Sequence, residues 1–341
     1  MLLSELEYNL PSELIAQRPA KPRDSARLLI VNRKTGEIRE DIFRNISNYL
    51  DPGDVIVLND TKVIRARLFG RKEKTGGKVE ILLLKQVSST TWEALVKPSS
   101  RVPVGTKIVI TNKIVAEVLD FLGNGKRLVI FSVSDLLRHL NKIGEVPLPP
   151  YIKRQHSTPE DIVRYQTIYS KKPGSVAAPT AGLHYTNRVF QSLRKRGIDV
   201  CFITLHVGYG TFKLISTERV EEHKLDPEEF SISKDVADLL NKKRSEGRRI
   251  VAVGTTVTRV LETQFKEGKF YPGSGYTDKY IYVPYEFKAI DALQTNFHLP
   301  RSTLLALVYA FGGVELIRKA YNYAIQHNFR FYSYGDTMLI L

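Results

Sequence analysis

Hydrophobic and polar residues follow two different patterns along the chain, and each pattern predicts its own kind of structure. Between residues 63 and 133, short apolar runs alternate with turn sequences such as Thr75-Gly76-Gly77 and Val104-Gly105, with no helical spacing between them. The runs predict strands at residues 79–84, 91–96, 107–110, 114–119 and 127–131. A series of short strands without helices predicts a small barrel or sandwich.

A second pattern follows the proline-rich residues 146–150, where predicted strands and helices alternate as they do in α/β proteins. Residues suited to helix N-caps precede the helical segments, and one helix is predicted from Thr158 to about Ser170. Residues 1–62 fit the same pattern, with a hairpin around Thr35-Gly36 and a buried strand at residues 55–58. The sequence therefore predicts an α/β fold: a mixed-sheet main domain of residues 1–62 and 151–341, with a small all-β, barrel-like domain inserted at residues 63–150.

The charge of the chain is strongly positive, because 51 Lys and Arg residues stand against 36 Asp and Glu residues, giving +15. This excess favours a polyanionic partner such as RNA, which binds with release of counterions. A solvated, lysine-rich surface of the kind found in thermophile proteins would have the same composition. The basic residues occur in several clusters, at residues 65–78, 171–196 and 242–249, which suits a folded RNA better than a single basic tail would.

The sequence also excludes several classes of protein. No apolar run approaches the roughly 20 residues that a membrane helix needs, and the first ten residues do not resemble a signal peptide. Cys201 is the only cysteine, which excludes a disulfide within the chain and a thiolate metal site. We therefore expect a cytoplasmic protein that makes no contact with a membrane, and we expect it to be a monomer.

Three histidines lie in similar local contexts, each at a strand end or glycine-rich turn with a hydroxyl residue nearby. His184 ends a turn that contains Thr180, and His206 ends a predicted apolar strand. His298 follows Asn296 between the apolar residues 290–293 and a helix that Ser302 can cap. A neutral imidazole can accept a proton near pH 7. The matching contexts predict one shared catalytic pocket, formed by His184, His206 and His298 with Thr180, Thr211, Asn296 and Asp336. Their spacing does not match a zinc-binding helix, and no metal is expected.

Two turns and one strand end could hold a ligand through backbone or small polar groups. Gly208 and Gly210 lack the third glycine of a dinucleotide loop, and residues 211–215 are predicted to be extended. Thr255 follows Gly254 between a strand and a helix, where free amides could bind an anion or the segment could simply be a tight junction. Asn59, Asp60 and Thr61 could bind a ligand hydroxyl or form an Asx turn.

Long motifs in this chain resemble one known family, from about Ser12 to the C-terminus and in the same order. The motifs lie at residues 13–19 with 22–24, 58–61, 147–152, 165–167, 176–184, 206–208, 295–305 and 333–336. They are similar to those of the S-adenosylmethionine:tRNA ribosyltransferase-isomerases of queuosine biosynthesis. The resemblance implies an α/β domain with an inserted β-barrel.

The resemblance also implies a reaction. That family moves the ribosyl part of S-adenosylmethionine onto the aminomethyl group of a 7-deazaguanine at the tRNA wobble position. The ribose rearranges, so the products are epoxyqueuosine-tRNA, adenine and methionine. S-adenosylmethionine would be a consumed co-substrate here, and no separate cofactor is expected. The partners would be S-adenosylmethionine and tRNA carrying the aminomethyl base.

The motif positions supply the candidate site residues. His184, His206, His298 and Asp336 are the catalytic candidates, and the general base among the histidines stays open. The substrate-binding candidates are Arg18, Arg23, Asp24, Asn59, Asp60, Thr61, Tyr165, Gln166, Thr180, Gly182, Gly208, Gly210, Thr211, His223, Glu228, Thr255, Asn296 and Tyr334.

The chain departs from the family pattern in three places. Where the family usually has Gly-Ala-Gly, this chain has Gly208-Tyr209-Gly210. Where the family usually has Pro-Gly-Tyr, this chain has Val283-Pro284-Tyr285. Asp226 occupies a position where the family carries a histidine, which argues against an essential proton transfer there.

Two other function classes stay open on the sequence. A non-catalytic RNA-binding protein would carry aromatic residues among basic ones on its barrel strands, but residues 63–133 hold only Phe69, Trp92, Phe121 and Phe131. A conventional methyltransferase would show a glycine-rich first strand-to-helix turn followed by an acidic residue on the next strand. That pattern is not seen.

Overall fold

The computed structural model describes residues 1–123 and 125–341. Its strands in chain order are β1 Arg27–Val31, β2 Ile38–Ile42, β3 Val55–Asn59, β4 Thr61–Val63, β5 Arg67–Lys72, β6 Lys78–Gln86, β7 Thr91–Lys97, β8 Lys107–Thr111, β9 Ile114–Gly123, β10 Lys126–Phe131, β11 Lys172–Ser175, β12 Asp199–Leu205, β13 Glu228–Ile232, β14 Ile250–Val253, β15 Phe265–Lys266, β16 Lys269–Phe270, β17 Gly273–Thr277, β18 Ala292–Asn296 and β19 Thr337–Ile340. The α-helices are α1 Leu137–Ile143, α2 Pro159–Arg164, α3 Asn187–Lys195, α4 Lys234–Ser245, α5 Thr255–Gln264, α6 Thr303–Gly312 and α7 Val314–Gln326. Short 3₁₀-helices include Arg23–Ser25, Thr180–His184 and Tyr209–Phe212.

A large mixed sheet forms the main domain, with the strand order β17-β13-β12-β3-β14-β18-β19-β1-β2. The central strands β12, β3, β14 and β18 are parallel, and β19 is antiparallel to β18. Every residue of β3 is buried, as expected for a strand covered on both faces. The predicted mixed-sheet α/β domain is therefore confirmed, and the ends of the chain contribute to one sheet.

The inserted segment closes into a barrel, with the strand order β10-β7-β6-β5-β8-β9. Buried and exposed residues alternate along β6 and β7, so one side of each strand fills the interior. Trp92 and Phe131 are buried in that interior. The predicted all-β insertion is confirmed, and two of its four aromatic residues cannot stack on RNA. The domain boundaries at residues 62/63 and 150/151 stay a prediction.

Helix caps were readable from the sequence, because capping is a local interaction. The side chains of Thr158, Thr186, Ser233 and Ser302 each accept a hydrogen bond from the backbone N–H three residues later. No helix among residues 1–123 and 125–341 is long and apolar enough to cross a membrane.

Two local predictions were wrong. The helix after Thr158 ends at Arg164 and not near Ser170, because Arg23 occupies the carbonyl oxygens of Val163 and Gln166 at 2.7 and 2.6 Å. A continuing helix would need the Val163 carbonyl for its own ladder. The extended segment predicted at residues 211–215 is wrong for residues 211 and 212, which belong to the 3₁₀-helix Tyr209–Phe212; the Glu228 carboxylate binds this turn at the Gly208 N–H and the Thr211 hydroxyl.

The carboxyl ends of β12, β3, β14 and β18 meet at one edge of the sheet, since these strands run parallel. In α/β proteins this edge is the usual place for a ligand. Gly254 follows β14 with a φ of +88°, so the chain can turn sharply into α5. The barrel is connected to the same side of the sheet through β4, which pairs with β11.

Candidate functional site

A small cavity of about 80 Å³, the inner cavity, lies at the carboxyl ends of β14 and β18 and combines apolar walls with several polar groups. Five of the predicted site residues line it: Thr180, Thr211, Thr255, Asn296 and His298. Hydroxyl groups, an amide and an imidazole therefore surround a space that Ala177, Pro179 and Phe297 close with apolar surface. This arrangement suits a small polyhydroxylated group.

A larger cavity of about 550 Å³, the outer cavity, opens between the main domain and the barrel. The main domain contributes Gly208, Gly210 and Glu228, and the barrel contributes Lys85 and Lys126. Thr211, Lys213 and Leu304 line both cavities. The inner and outer cavities are therefore two parts of one interdomain cleft.

His298 lies on the wall of the inner cavity and is held in place from several sides. Its Nε2 lies 2.8 Å from the Thr295 hydroxyl, and its backbone N–H donates to the Tyr321 hydroxyl at 2.9 Å. Its carbonyl oxygen accepts a hydrogen bond from the Tyr8 hydroxyl. No described residue makes a hydrogen bond to Nδ1, which stays available to a ligand in the cavity. Burial lowers the pKa of His298 to about 3, so the ring is neutral at neutral pH.

His184 lies one layer behind the cleft. Its Nε2 is 3.3 Å from the Asn296 Oδ1, and Asn296 in turn donates to the Tyr332 carbonyl at 2.9 Å. The imidazole packs 5.1 Å from the Phe43 ring, and burial lowers its pKa to about 4. His184 therefore reaches the inner cavity through the Asn296 amide, which it helps to orient.

His206 lies away from the cleft. Its Nδ1 is 2.8 Å from the Thr61 hydroxyl, and burial lowers its pKa. The ring lies against Gly174, where an added Cβ would come within 2.9 Å of it. The described lining residues of the inner and outer cavities do not include His206. Of the three predicted histidines, His298 thus lines the cleft and His184 lies directly behind it. His206 lies in neither place.

Glu228 connects the turn at residues 208–211 to the rest of the main domain. Its Oε1 accepts hydrogen bonds from the Gly208 N–H at 2.7 Å and the Thr211 hydroxyl at 3.1 Å. Its Oε2 forms an ion pair with Arg259, and both side chains are buried. Arg259 also donates to the carbonyl oxygens of Lys279 at 2.8 Å and Thr277 at 3.1 Å. The pair fixes the turn that separates the two cavities.

The predicted carboxylates are engaged elsewhere. Asp336 accepts hydrogen bonds from the backbone N–H groups of Arg27 and Arg330, and Asp60 accepts one from the Thr204 hydroxyl. Asp24 binds the Arg188 guanidinium, which holds the pKa of that carboxyl below its usual range against the opposing effect of burial. These groups join segments of the fold and do not line the cleft.

The remaining predicted residues also lie outside the two cavities, apart from the Gly208 and Gly210 backbone. Arg18 is exposed, and Asn59 joins β3 to β12 through the Leu205 backbone. Tyr334 donates to Asp161, and His223 packs on Tyr280 at the rim of the outer cavity. The others have structural partners: Arg23 donates to the Val163 and Gln166 carbonyl oxygens, Thr61 contacts His206, Tyr165 packs on the Tyr334 ring, Gln166 binds the Val63 backbone and Gly182 lies against Tyr169.

Comparison with known proteins agrees with this architecture. A family model described as "Queuosine biosynthesis protein" matches residues 3–340. Proteins named S-adenosylmethionine:tRNA ribosyltransferase-isomerase from Thermoanaerobacter sp. (strain X514) and Staphylococcus haemolyticus (strain JCSC1435) are 50% and 47% identical, with 100% of each chain covered. This chain belongs to the queuosine biosynthesis protein family. A crystal structure of S-adenosylmethionine tRNA ribosyltransferase from Thermotoga maritima is 39% identical, with a TM-score of 0.57, and covers 99% of this chain and 100% of its own.

The resemblance inferred from the motifs is thereby confirmed along the whole chain. The roles of individual residues follow from their positions in the cleft. Among residues 1–123 and 125–341, no group of three or more His, Cys, Asp or Glu side chains is arranged to hold a metal ion.

Sequence reasoning missed two residues of the cleft. Arg259 lies within the otherwise uncharged, buried stretch from Val257 to Leu261 of α5, and a buried arginine there requires an acidic partner that the sequence does not reveal. Lys213 lines both cavities and lies 3.1 Å from an Asp226 oxygen. Asp226, which occupies the position of a family histidine, therefore lines the outer cavity as the ion-pair partner of Lys213.

The two buried histidines make the fold sensitive to acid. In the unfolded chain they bind protons below their ordinary pKa of 6.5, whereas His184 and His298 stay neutral until about pH 4 and 3. Above pH 6.5 the two histidines are neutral in both the folded and the unfolded chain and cost no stability. As the pH falls below 6.5, protons bind to the unfolded chain first, so the free energy of unfolding decreases. Between neutral pH and about pH 5, we expect each histidine to lower the unfolding free energy by about 2 kcal/mol.

Denaturant titration of the wild type and a His184→Gln variant at both pH values measures this effect. Glutamine keeps a hydrogen-bonding group near Asn296 but does not titrate. The variant should lose about 2 kcal/mol less than the wild type on acidification. Equal losses would show that His184 is not a neutral, buried group.

Proposed function

We propose that the interdomain cleft is the active site at which this chain transfers and isomerises the ribosyl group of S-adenosylmethionine. The acceptor is the aminomethyl group of 7-aminomethyl-7-deazaguanine at the tRNA wobble position. The reaction yields epoxyqueuosine-tRNA with release of adenine and methionine, so S-adenosylmethionine is consumed and the proposal includes no separate cofactor. One observation carries the assignment: His298 presents a neutral imidazole to a cavity lined by hydroxyl and amide groups.

The sizes of the two cavities suggest how the substrates divide between them. The outer cavity, at about 550 Å³, is within the range of roughly 300–1,000 Å³ typical of small-molecule sites. It can take a base together with the methionine or adenine part of the donor. The inner cavity is far smaller and is lined by the Thr180 and Thr255 hydroxyls and the Asn296 amide, which suit the ribose hydroxyls.

The N-terminus of α5 offers a further contact for the donor. Thr255 and Thr256 begin this ten-residue helix and line the inner cavity. The first backbone N–H groups of a helix are free to bind an anion. Because the inner cavity is assigned to the ribose, we assign a ribose oxygen atom of the donor to this end of the helix, where the free N–H groups can donate to it.

His298 is the proposed proton acceptor for the carbon next to the sulfonium. If the Nε2 hydrogen points at the Thr295 hydroxyl, then Nδ1 carries the lone pair and accepts the proton. A pKa of about 3 in the free protein makes this ring a weak base. Proton transfer therefore requires that the negative charge developing on the donor carbon stabilises the imidazolium.

We also propose that the chain acts in the cytoplasm, where it meets its tRNA substrate, and that it acts as a monomer. The basis for the monomer is that one chain supplies both walls of the cleft, from the main domain and from the barrel.

The proposed function is tested by incubating the protein with S-adenosylmethionine and tRNA that carries the aminomethyl base. Adenine and methionine should appear in equal amounts and only when both substrates are present. Formation of S-adenosylhomocysteine would instead identify a methyltransferase. Binding of tRNA without any turnover would identify a non-catalytic RNA-binding protein.

A further inference from the structure

A line of connected cavities leads from the active-site cleft across the barrel. A cavity of about 280 Å³, the connecting cavity, shares Leu95 and Tyr209 with the outer cavity. It shares Glu80 and Lys97 with a groove of about 910 Å³ on the barrel surface, the barrel groove. The outer cavity, the connecting cavity and the barrel groove are therefore neighbours, each sharing wall residues with the next, and the barrel groove plays no part in the reaction proposed above.

Most of the charged side chains that line the barrel groove are cationic. Its charged side chains are Arg71, Lys72, Lys78 and Lys97, against Glu73 and Glu80. Glu80 is already neutralised, because its two oxygens accept hydrogen bonds from Arg67 at 2.8 and 2.9 Å. Because Arg67 neutralises Glu80, only Glu73 opposes the four cations that line the groove, and the groove carries an excess of positive charge.

Two lysines of the groove lack any partner within the protein. The ammonium groups of Lys78 and Lys97 make no ion pair or hydrogen bond with the described residues, and both side chains are exposed. Lys97 lies across from Glu80 in the barrel sheet, yet Arg67 occupies that carboxylate. Lys78 lies directly across from Arg71, and like charges in this position destabilise a strand pair.

An anion bound in the groove would relieve this repulsion, and a volume of about 910 Å³ leaves room for more than one phosphate group. The groove also offers one aromatic surface, the Phe69 ring, which packs 5.0 Å from the His156 ring. Trp92 and Phe131 lie inside the barrel, so stacking on successive bases is not available there. The groove therefore fits the phosphates of an RNA strand more than its bases.

We propose that the barrel groove binds the phosphate backbone of the anticodon arm of the tRNA, next to the nucleotide held in the cleft. This inference rests on the proposed function, since the cleft must hold the wobble base for the strand to continue in this direction. The inserted barrel would then anchor the RNA in addition to forming one wall of the cleft. Binding through phosphates predicts an affinity that depends strongly on salt.

The test compares two double variants of the full-length protein. Lys78→Ala with Lys97→Ala removes the two free cations, and Lys34→Ala with Lys319→Ala removes the same charge from exposed sites near β2 and on α7. Binding of full-length tRNA and of an anticodon-arm hairpin is measured at several salt concentrations. Binding of S-adenosylmethionine and thermal unfolding are measured on the same samples.

For the groove variant, we expect the Kd for both RNAs to rise by about tenfold or more, with the slope of log K against log salt reduced by roughly 1.4. The KM for tRNA should rise, while kcat and the affinity for S-adenosylmethionine stay at the wild-type values. The control variant should match the wild type. Unchanged RNA affinity in the groove variant would overturn the inference, and so would a loss seen with full-length tRNA but not with the hairpin. If the wild type failed to release adenine, the proposed function would be contradicted instead. The RNA-binding measurements would then still show whether the barrel groove binds RNA.

Discussion

Replacing His298 with glutamine is expected to lower kcat by about 10²–10⁴-fold, because proton transfer by a positioned side chain contributes that much to a rate. Glutamine can keep a hydrogen bond to the Thr295 hydroxyl and fills a similar volume, so the inner cavity keeps its shape. It cannot accept a proton as imidazole does. Single-turnover release of adenine measures the chemical step, and equilibrium binding of S-adenosylmethionine should change little.

His327→Ala is the matched control for this variant. His327 is exposed at the end of α7, where its ring packs on Tyr323 and hydrogen-bonds the Tyr323 carbonyl; its own carbonyl oxygen, which accepts from Arg27, is kept in an alanine variant. This variant should release adenine at the wild-type rate. If His298→Gln also kept the wild-type single-turnover rate while remaining folded, His298 would not be the proton acceptor.

Replacing Arg259 with leucine is expected to lower the unfolding free energy by about 3–5 kcal/mol, because it leaves the buried Glu228 carboxylate without its ionic partner. The variant also loses the hydrogen bonds to the Thr277 and Lys279 carbonyl oxygens. Glu228 then holds Gly208 and Thr211 less rigidly, so KM for S-adenosylmethionine should rise. Denaturant titration measures the stability, and steady-state kinetics measure the second effect.

A double-mutant cycle separates the ion pair from the other contacts of Arg259. Glu228→Gln removes the charge but keeps an oxygen for the Gly208 N–H. Glu228→Gln combined with Arg259→Leu should be more stable than Arg259→Leu alone, because no buried charge remains. Strictly additive losses in the two single variants would mean that the pair makes no net interaction.

Local signals in the sequence predicted much of the fold. The caps at Thr186, Ser233 and Ser302 and the alternation along the barrel strands depend on neighbouring residues, so they could be read directly. The helix after Thr158 ended early because Arg23, far away in the sequence, takes its carbonyl oxygens. A contact between residues so far apart in the sequence cannot be recognised from the residues around the helix.

The candidate site was predicted in part, for a geometric reason. The residues around Thr255 and Asn296 meet because they follow β14 and β18, which are adjacent and parallel. His206 follows β12 directly, and β3 and β14 lie between β12 and β18. With strands about 4.8 Å apart, this order separates the ends of β12 and β18 by about 14 Å. Sequence context could show that His206 and His298 lie near strand ends. It could not show how many strands lie between them, nor that the His206 ring faces Thr61 while the next residue, Val207, lines the inner cavity.

The predicted carboxylates show a second limit. Asp336 and Asp24 have the residue type that proton transfer or sulfonium binding would need. Backbone N–H groups and arginines occupy them in the folded protein. Conversely, the buried Arg259 of helix α5 gains its role from Glu228, which lies on strand β13. Residue type alone therefore cannot separate a functional polar group from one that holds the fold together.

The central claim is that the ribosyl group of S-adenosylmethionine reacts in the inner cavity against His298. A crystal structure of the protein with S-adenosylmethionine, or with a non-reacting sulfonium analogue, tests it most directly. We expect the carbon next to the sulfonium to lie about 3–3.5 Å from the His298 Nδ1, with the ribose hydroxyls on Thr180, Thr255 or Asn296. A ribosyl group bound beside His206, with the inner cavity empty, would contradict the account.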